Sequence, residues 1–154
     1  MLNQDNHVRI KVNLGNFYIQ YNHPHDIDSI IETYILNICR TDLFKKGNIV
    51  PDLGGGIGEF ALLAPMKIVH NGKVIAIEPS PDDYETLLKN IRENKCDNVS
   101  PINVAVTNFN GELQLEFKGK TFNAMSKPLR DILNKEKVDK INFAKWILKV
   151  VKER

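Results

Sequence analysis

Residues 52–58 have the sequence Asp-Leu-Gly-Gly-Gly-Ile-Gly, in which three alternating glycines follow a carboxylate. Residues 48–50 predict a short buried strand before this stretch, and residues 57–63 indicate the helix that follows it. A strand, a glycine turn and a helix N-terminus form a concave group of backbone N–H donors that a ligand can approach closely. The stretch therefore predicts the ligand-binding turn of an α/β fold.

The spacing of the glycines distinguishes two classes of cofactor. A dinucleotide-binding fingerprint has the spacing G-x-G-x-x-G, whereas the third residue after Gly56 is Glu59. The chain has the pattern D-x-G-x-G-x-G, which resembles the turn that binds S-adenosyl-L-methionine (SAM) in Rossmann-like methyltransferases. A glycine-rich turn without a ligand is the alternative, and the next feature of the sequence argues against it.

An acidic residue ends the second predicted strand. Residues 73–80 have the sequence Lys-Val-Ile-Ala-Ile-Glu-Pro-Ser, and Glu78 stands 20 positions after Gly58. In βαβ nucleotide sites an acidic residue at about this distance accepts hydrogen bonds from the ribose hydroxyls. The two carboxylate oxygens suit a vicinal diol, since each can accept one O–H. We therefore expect Glu78 to bind a ribose, the alternative being an exposed acid at a strand end.

Residues 52–63 and 72–81 together resemble the core of the FkbM-type SAM-dependent methyltransferases. Further segments resemble that family in the same order, and the similarity covers about residues 26–141. These segments are residues 31–34, 87–94, 98–99, 103–106, 111–113 and 129–133. The resemblance implies a class I Rossmann-like parallel sheet with flanking helices, SAM as the cofactor, and methyl transfer to an oxygen or nitrogen of a small-molecule or glycan-like acceptor.

The resemblance also implies which residues bind the cofactor. The glycine turn and the acid before it would flank the methionine portion of SAM, Glu78 would hold the ribose, and residues 103–106 would border the adenine. The implied cofactor-binding residues are Asp52, Gly54, Gly56, Gly58, Glu78, Pro79, Asn103 and Ala105. Methyl transfer from a sulfonium requires above all proximity and orientation, and the sequence does not single out a catalytic base.

Composition indicates one ordinary globular domain. The 154 residues are 42% hydrophobic and 26% charged. The formal net charge of +2 is too small to indicate a nucleic-acid or membrane partner. The sequence has no apolar run of 18 residues, and we expect no signal peptide. Cys39 and Cys96 are predicted to be buried thiols in a reducing compartment, so we expect a soluble, cytoplasmic protein.

No metal site is predicted. His23 and His25 have metal-capable nitrogens, but Pro24 between them favours an extended segment and no third histidine is near. A loop followed by a helix that Asp26 or Asp28 caps is the expected structure.

Periodicity divides the chain into an N-terminal β-hairpin extension at residues 1–25 and a SAM-binding domain at residues 26–154. A helix is predicted from an apolar stripe at helical spacing, and Ser80 is predicted to cap the helix that follows Glu78. Pro101 is expected to break a third strand at 99–106, and residues 113–117 are expected to pair with residues 121–125. The members of the apolar stripe are Ile27, Ile30, Ile31, Tyr34, Ile35 and Ile38.

The sequence departs from the FkbM pattern after the predicted helix at 129–133. The family's next strand resembles K-I-D-V-E-G-A-E, whereas residues 140–146 are Lys-Ile-Asn-Phe-Ala-Lys-Trp and lack both carboxylates. We expect a core strand at 138–143 and an amphipathic helix at 144–153, in a domain that is truncated and incomplete after its fourth core strand. An exposed sheet edge or this helix would then favour self-association. Pro51 is a further departure, expected only where the central strand ends.

Three functions are compatible with these observations. The first is an active SAM-dependent methyltransferase. The second is a SAM-binding fragment or regulatory subunit without catalytic activity. The third is another nucleotide-binding domain, such as an oxidoreductase module, against which the absence of G-x-G-x-x-G argues. The identity of the methyl acceptor does not follow from the sequence.

Overall fold

The computed structural model describes residues 7–12, 15–68 and 71–138. Strands and helices alternate between residues 49 and 102, as the sequence predicts. The strands are β1 (His7–Val12), β2 (Gly15–Gln20), β3 (Ile49–Leu53), β4 (Lys73–Ile77), β5 (Val99–Ile102), β6 (Ala105–Thr107), β7 (Gly111–Phe117) and β8 (Lys120–Pro128). The helices are α1 (His25–Tyr34), α2 (Glu59–Ile68), α3 (Pro81–Glu93) and α4 (Leu129–Lys135), with a 3₁₀ turn at Thr41–Leu43.

Among the described strands, the central sheet is parallel with the order β3-β4-β5. Val74 and Ala76 of β4 pack with residues of α2 and α3, while Ile75 and Ile77 pack with α4 on the opposite face. All four side chains are at most 1% exposed. Burial on both faces is typical of a parallel sheet covered by helices. The structure therefore confirms the predicted α/β Rossmann-like architecture with flanking helices.

The N-terminal strands β1 and β2 pair in antiparallel register, as predicted. Asn90 of α3 and Asn94, which directly follows this helix, bind the backbone of β2. Asn94 pairs with both backbone groups of Tyr18, and Asn90 pairs with both backbone groups of Gln20, at 2.7–3.0 Å. The Asn90 amide also donates to the carbonyl oxygen of Ile57 at 2.8 Å. Side-chain amides therefore join β2 to α3 and to the glycine turn.

The predicted helical stripe is only partly confirmed, because Ile35 and Ile38 lie beyond the end of α1. The helix ends at Tyr34, where the N–H of Ile35 donates to the carbonyl oxygen of Ile31. Asn37 then adopts a φ of +50°, which turns the backbone away from the helix axis. Among the isoleucines of the stripe, only Ile30 is buried. The exposed ones are Ile27, Ile31, Ile35 and Ile38.

Two predictions about prolines are also corrected. Residues 99–106 form two strands, and the break falls at residues 103–104, whereas Pro101 lies within β5. Pro51 lies inside β3 and not at its end. Pro51 and Pro101 lie in the two outer strands of the described sheet β3-β4-β5. In an outer strand a proline nitrogen can face away from the neighbouring strand.

A second described sheet has the order β6-β8-β7 and contains the predicted hairpin. Leu113 pairs with Ala124 in the antiparallel register of β7 and β8, which confirms the predicted pairing. Ser80 caps α3 as predicted, because its hydroxyl accepts the N–H of Asp83 at 3.4 Å. The predicted strand at 138–143, apart from Val138, and the predicted helix at 144–153 lie outside the described residues. No helix in the described part of the chain is long and apolar enough to cross a membrane.

Gly72 sits where the chain enters β4, and the backbone of α2 crowds it. An added Cβ would lie 2.2 Å from the carbonyl oxygen of Ile68 and 2.8 Å from the Cβ of the same residue. We expect Gly72→Ala to lower the free energy of unfolding by about 3 kcal/mol, the upper end of the usual overpacking cost. Urea unfolding measures this loss. Gly119→Ala is the reference for backbone strain without crowding, since its φ is +73° but an added Cβ there meets nothing within 4 Å. We expect it to lose only about 1 kcal/mol, and an equal loss in both variants would contradict the prediction.

Candidate functional site

The predicted glycine turn joins β3 to α2 at the carboxyl end of the central sheet. Gly54, Gly56 and Gly58 have φ values of +76°, +51° and +96°, a region that favours glycine over every other residue. The N–H groups of Gly54 and Gly55 both donate to the carbonyl oxygen of Ile77, at 2.9 and 3.0 Å. These two bonds hold the turn against the end of β4.

Glu78 follows β4 immediately, and the turn fixes its side chain. One carboxylate oxygen accepts the N–H of Gly56 at 2.9 Å, and the other accepts the N–H of Ser80 at 2.7 Å. The residue is only 5% exposed. Burial raises the pKa of Glu78 above its usual range, although the two N–H donors act in the opposite direction. Each oxygen has a second lone pair, so the carboxylate can still accept ligand hydroxyls.

Asn103 shapes the loop that carries Glu78. Its side-chain amide donates to the carbonyl oxygens of Glu78 and Pro79, at 2.8 and 3.3 Å. Ala105 begins β6 and is 5% exposed. Asn103, which lies between β5 and β6, therefore supports the Glu78 loop through these two hydrogen bonds.

Two buried carboxylate oxygens lie beneath the glycine turn without a hydrogen-bond partner among the described residues. They are Oδ2 of Asp52 at the end of β3 and Oε2 of Glu59 at the start of α2. A Cβ added at Gly55 would lie 3.4 Å from the first oxygen, and one added at Gly56 would lie 3.4 Å from the second. Burial of this kind disfavours the ionised form unless a cation or a donor compensates it.

The pKa values of both acids reflect this environment. Burial raises the pKa of Asp52 to about 7, and the charge of Glu78 adds to the increase. Burial raises the pKa of Glu59 to about 8, although its own backbone N–H acts in the opposite direction. The charge of Asp52 raises the pKa of Glu59 further, so the two acids disfavour one another's ionisation.

A cavity of about 400 Å³ lies over this turn, which is within the size range of small-molecule sites. The glycine turn and the Glu78 loop line one side, and the hairpin of β7 and β8 lines the other. The lining residues used below are Gly54, Gly56, Glu59, Glu78, Asp26, Asp83, Leu115, Phe117, Lys118 and Phe122. No group of three or more His, Cys, Asp or Glu side chains in the described ranges could hold a metal ion.

The structure brings half of the sequence-predicted site residues to the cavity surface. Those at the surface are Gly54, Gly56, Glu78 and Pro79. The other four, Asp52, Gly58, Asn103 and Ala105, do not line it. Gly58 instead packs on α3, where an added Cβ would lie 2.7 Å from a methyl carbon of Leu87. Asp52, Gly58, Asn103 and Ala105 thus stay predictions as cofactor-binding residues.

Three charged residues at the cavity are not among the site residues predicted from the sequence. Lys118, in the turn between β7 and β8, forms ion pairs with Asp26 of α1 and Asp83 of α3. Asp26 also accepts the N–H groups of Asn22 and His23, which precede the helix. It therefore does not cap α1 as expected, and the N-cap Pro24 has no side-chain bond. The Lys-Gly pair between two alternating runs predicts a hairpin turn, but it gives no signal of these partners.

Comparison with known protein families is decisive at this point. Residues 37–121, more than half of the chain, match the model of the TRM5/TYW2 methyltransferase domain. The chain belongs to this family. No curated protein matches the sequence significantly.

Several solved structures are similar to this TRM5/TYW2 domain. TYW2 of P. horikoshii, crystallised with MeSAdo, is 26% identical with a TM-score of 0.45, over 72% of this chain and 40% of that one. TYW2 of M. jannaschii, crystallised with AdoMet, is 24% identical with a TM-score of 0.44, over 67% and 45%. Trm5b of Pyrococcus abyssi is 21% identical with a TM-score of 0.45, over 67% and 29%. The chain thus spans less than half of each of these proteins.

Membership of the TRM5/TYW2 family confirms the class I methyltransferase fold and, at the level of the family, SAM as the cofactor. The finer resemblance to FkbM-type enzymes is not supported. The residues that suggested it are mainly the glycine turn and the acid after the second strand. These provide a nucleotide-binding geometry that many α/β families share, so they do not distinguish one methyltransferase family from another.

Proposed function

We propose that this chain binds SAM in the cavity beside the glycine turn and acts as a methyltransferase. The observation that carries the proposal is the position of Glu78. Its carboxylate is held by the N–H of Gly56 at the wall of a 400 Å³ cavity, with a lone pair free on each oxygen. That arrangement suits the two hydroxyls of a ribose.

The buried acids beneath the turn fit the same ligand. SAM carries a sulfonium and an ammonium group, and a positive charge in the cavity would favour the ionised forms of Asp52 and Glu59, whose Oδ2 and Oε2 have no hydrogen-bond partner among the described residues. A cationic ligand compensates buried carboxylates that have no partner among the described residues. The acids therefore support a cationic ligand more than a neutral or anionic one.

The chain's own residues would orient the cofactor and exclude water. Bound SAM supplies an activated methyl group. Glu78 would accept the ribose hydroxyls, the backbone of Gly54–Gly58 would lie along the methionine portion, and Phe117 and Phe122 would cover the cavity from the hairpin side. Orientation of this kind accounts for much of the rate of a bimolecular transfer. We assign no catalytic base.

The methyl acceptor is proposed only by chemical class. An oxygen or nitrogen of a small or glycan-like molecule is the first candidate, which is the acceptor that the resemblance to FkbM-type enzymes implies. RNA is the second candidate, because TRM5/TYW2 enzymes act on tRNA. Transfer of a labelled methyl group from SAM to tRNA or to a small-molecule library distinguishes the two. A cytoplasmic location and self-association likewise stay predictions, the second of which sedimentation would test.

Calorimetry tests the proposed cofactor directly. We expect SAM to bind with measurable heat and to raise the melting temperature, since a ligand at 100 times its Kd stabilises the folded state by about 2.7 kcal/mol. NAD is the matched control, because the chain lacks the spacing of a dinucleotide site. Protection by NAD without protection by SAM would contradict the proposal and favour an oxidoreductase module.

A further inference from the structure

The hairpin that covers the cavity ends in an unusual two-residue turn. Phe117 pairs with Lys120, so Lys118 and Gly119 form the turn. Their φ values are +50° and +73°, the geometry of the two-residue turns in which asparagine or glycine is usual at the first position. A lysine in this left-handed conformation costs about 1–2 kcal/mol. Contacts of its side chain must therefore offset that cost.

The ammonium group of Lys118 reaches two helices. Its Nζ lies 2.6 Å from Oδ1 of Asp26 in α1 and 3.0 Å from Oδ2 of Asp83 in α3. The three side chains are 17%, 7% and 2% exposed, in the order lysine, Asp26, Asp83. Removing one partner of a buried ion pair is strongly unfavourable, because the other charge stays buried without compensation.

A second ion pair on the same hairpin provides a natural comparison. Lys120 pairs with Asp82, and these side chains are 72% and 57% exposed. Exposed pairs contribute little, since water screens them and the side chains lose conformational freedom. The buried pairs of Lys118 are therefore the stronger attachment of the hairpin tip to the two helices.

The attached tip forms one wall of the proposed cofactor cavity. Leu115, Phe117, Lys118 and Phe122 of the hairpin line it opposite the glycine turn. In the described chain the hairpin belongs to the sheet β6-β8-β7, which shares no strand pairing with β3-β4-β5. Side-chain contacts, rather than strand pairing, therefore hold this wall against the other.

The attachment also connects to Glu78 through hydrogen bonds. The N–H of Asp83 donates to the hydroxyl of Ser80 at 3.4 Å, and the N–H of Ser80 donates to Glu78 at 2.7 Å. Asp83 thus binds Lys118 through its carboxylate, and its backbone N–H binds Ser80 in the loop that carries Glu78. Asp83 therefore links the position of the hairpin tip to the position of the Glu78 loop.

We propose that Lys118 is a positioning residue that holds the β7–β8 hairpin over the cofactor cavity. The ligand enters and leaves when the ion pairs with Asp26 and Asp83 open. This inference rests on the proposed function, since it assumes that SAM occupies the cavity. It assigns to the hairpin tip the role of a closing wall, and to one lysine the control of ligand release.

The release rate of SAM from the full chain tests the proposal. We expect Lys118→Met to accelerate release at least about tenfold, since loss of a buried charge pair acts mainly on dissociation. Lys118→Arg, which keeps the positive charge, should release SAM as slowly as the wild type. Lys120→Met is the matched control and should change release by less than about twofold, because its ion pair is exposed.

Hydrogen exchange in the absence of ligand separates the possible outcomes. Lys118→Met should increase exchange at the amides of residues 117–120, whereas Lys120→Met should not. If Lys118→Met fails to fold, the combined variant D26N/D83N/K118M, which removes the buried charges together, takes its place in the release and hydrogen-exchange measurements. Unchanged release in a folded variant, or equal acceleration by Lys120→Met, would overturn the inference. A wild-type chain that binds no SAM would instead contradict the proposed function, and exchange at the tip would still report whether Lys118 holds it.

Discussion

Glu78→Ala is expected to weaken SAM binding at least about 100-fold. Hydrogen bonds to charged groups contribute about 1.5–3 kcal/mol each, and 1.4 kcal/mol corresponds to a factor of ten in Kd. Two lost ribose contacts therefore exceed two orders of magnitude. The substitution also leaves the N–H groups of Gly56 and Ser80 without the acceptor that they have in the structure.

Isothermal titration of SAM into the wild type and the variant measures this effect. Glu116→Ala is the matched control, since Glu116 lines the same cavity from β7 and is exposed. We expect its affinity to stay within about threefold of the wild type, because an exposed charge interacts weakly with a ligand. A folded Glu78→Ala chain that binds SAM as tightly as the control variant would rule out the ribose-binding role.

The chain without ligand is expected to lose stability as the pH rises from about 4 to about 8. Asp52 and Glu59 have pKa values raised to about 7 and about 8, mainly by burial. The folded state therefore binds more protons than the unfolded state in this interval, and the free energy of unfolding falls with rising pH. The stabilisation is fully present below the unfolded pKa values and is lost through the folded ones. Because one pKa unit corresponds to about 1.4 kcal/mol, the total loss is on the order of several kcal/mol.

Urea unfolding at pH 5 and pH 8 measures this dependence. Asp52→Asn removes one of the two buried charges and should reduce the difference between the two pH values, as should Glu59→Gln. Glu112→Gln changes an exposed carboxylate of β7 and should leave the difference unchanged. A wild-type chain that is equally stable at both pH values would show that neither acid is buried without compensation.

The parts of the site that the sequence predicted are those that local backbone geometry determines. Gly54, Gly56 and Gly58 all adopt positive φ values, and their spacing alone indicates such a turn. Glu78 follows a strand at the spacing that a βα unit imposes. The fold class follows for the same reason, since strand, turn and helix patterns alternate within short segments.

The parts that the sequence did not predict depend on contacts between distant segments. Lys118 lies 92 positions from Asp26 and 35 from Asp83, and no local pattern connects them. The spacing of apolar residues through Ile38 does not show that α1 ends at Tyr34, because a helical period can continue by chance in the loop that follows a helix. The break at residues 103–104 was misplaced because Pro101 can lie in an outer strand without interrupting it.

The amides of Asn90 and Asn94 have a practical consequence for anyone who wishes to shorten this protein. Asn90 is fully buried and divides its donors between Gln20 and Ile57. Deleting residues up to 20 would remove both partners of the Asn90 amide in Gln20. The oxygen and one N–H of that amide would then lack a hydrogen-bond partner in an apolar interior. The same deletion would loosen Asn90, which binds Ile57 in the glycine turn. A minimal cofactor-binding fragment therefore has to begin no later than residue 15, even though the signature motifs start nearly forty residues downstream.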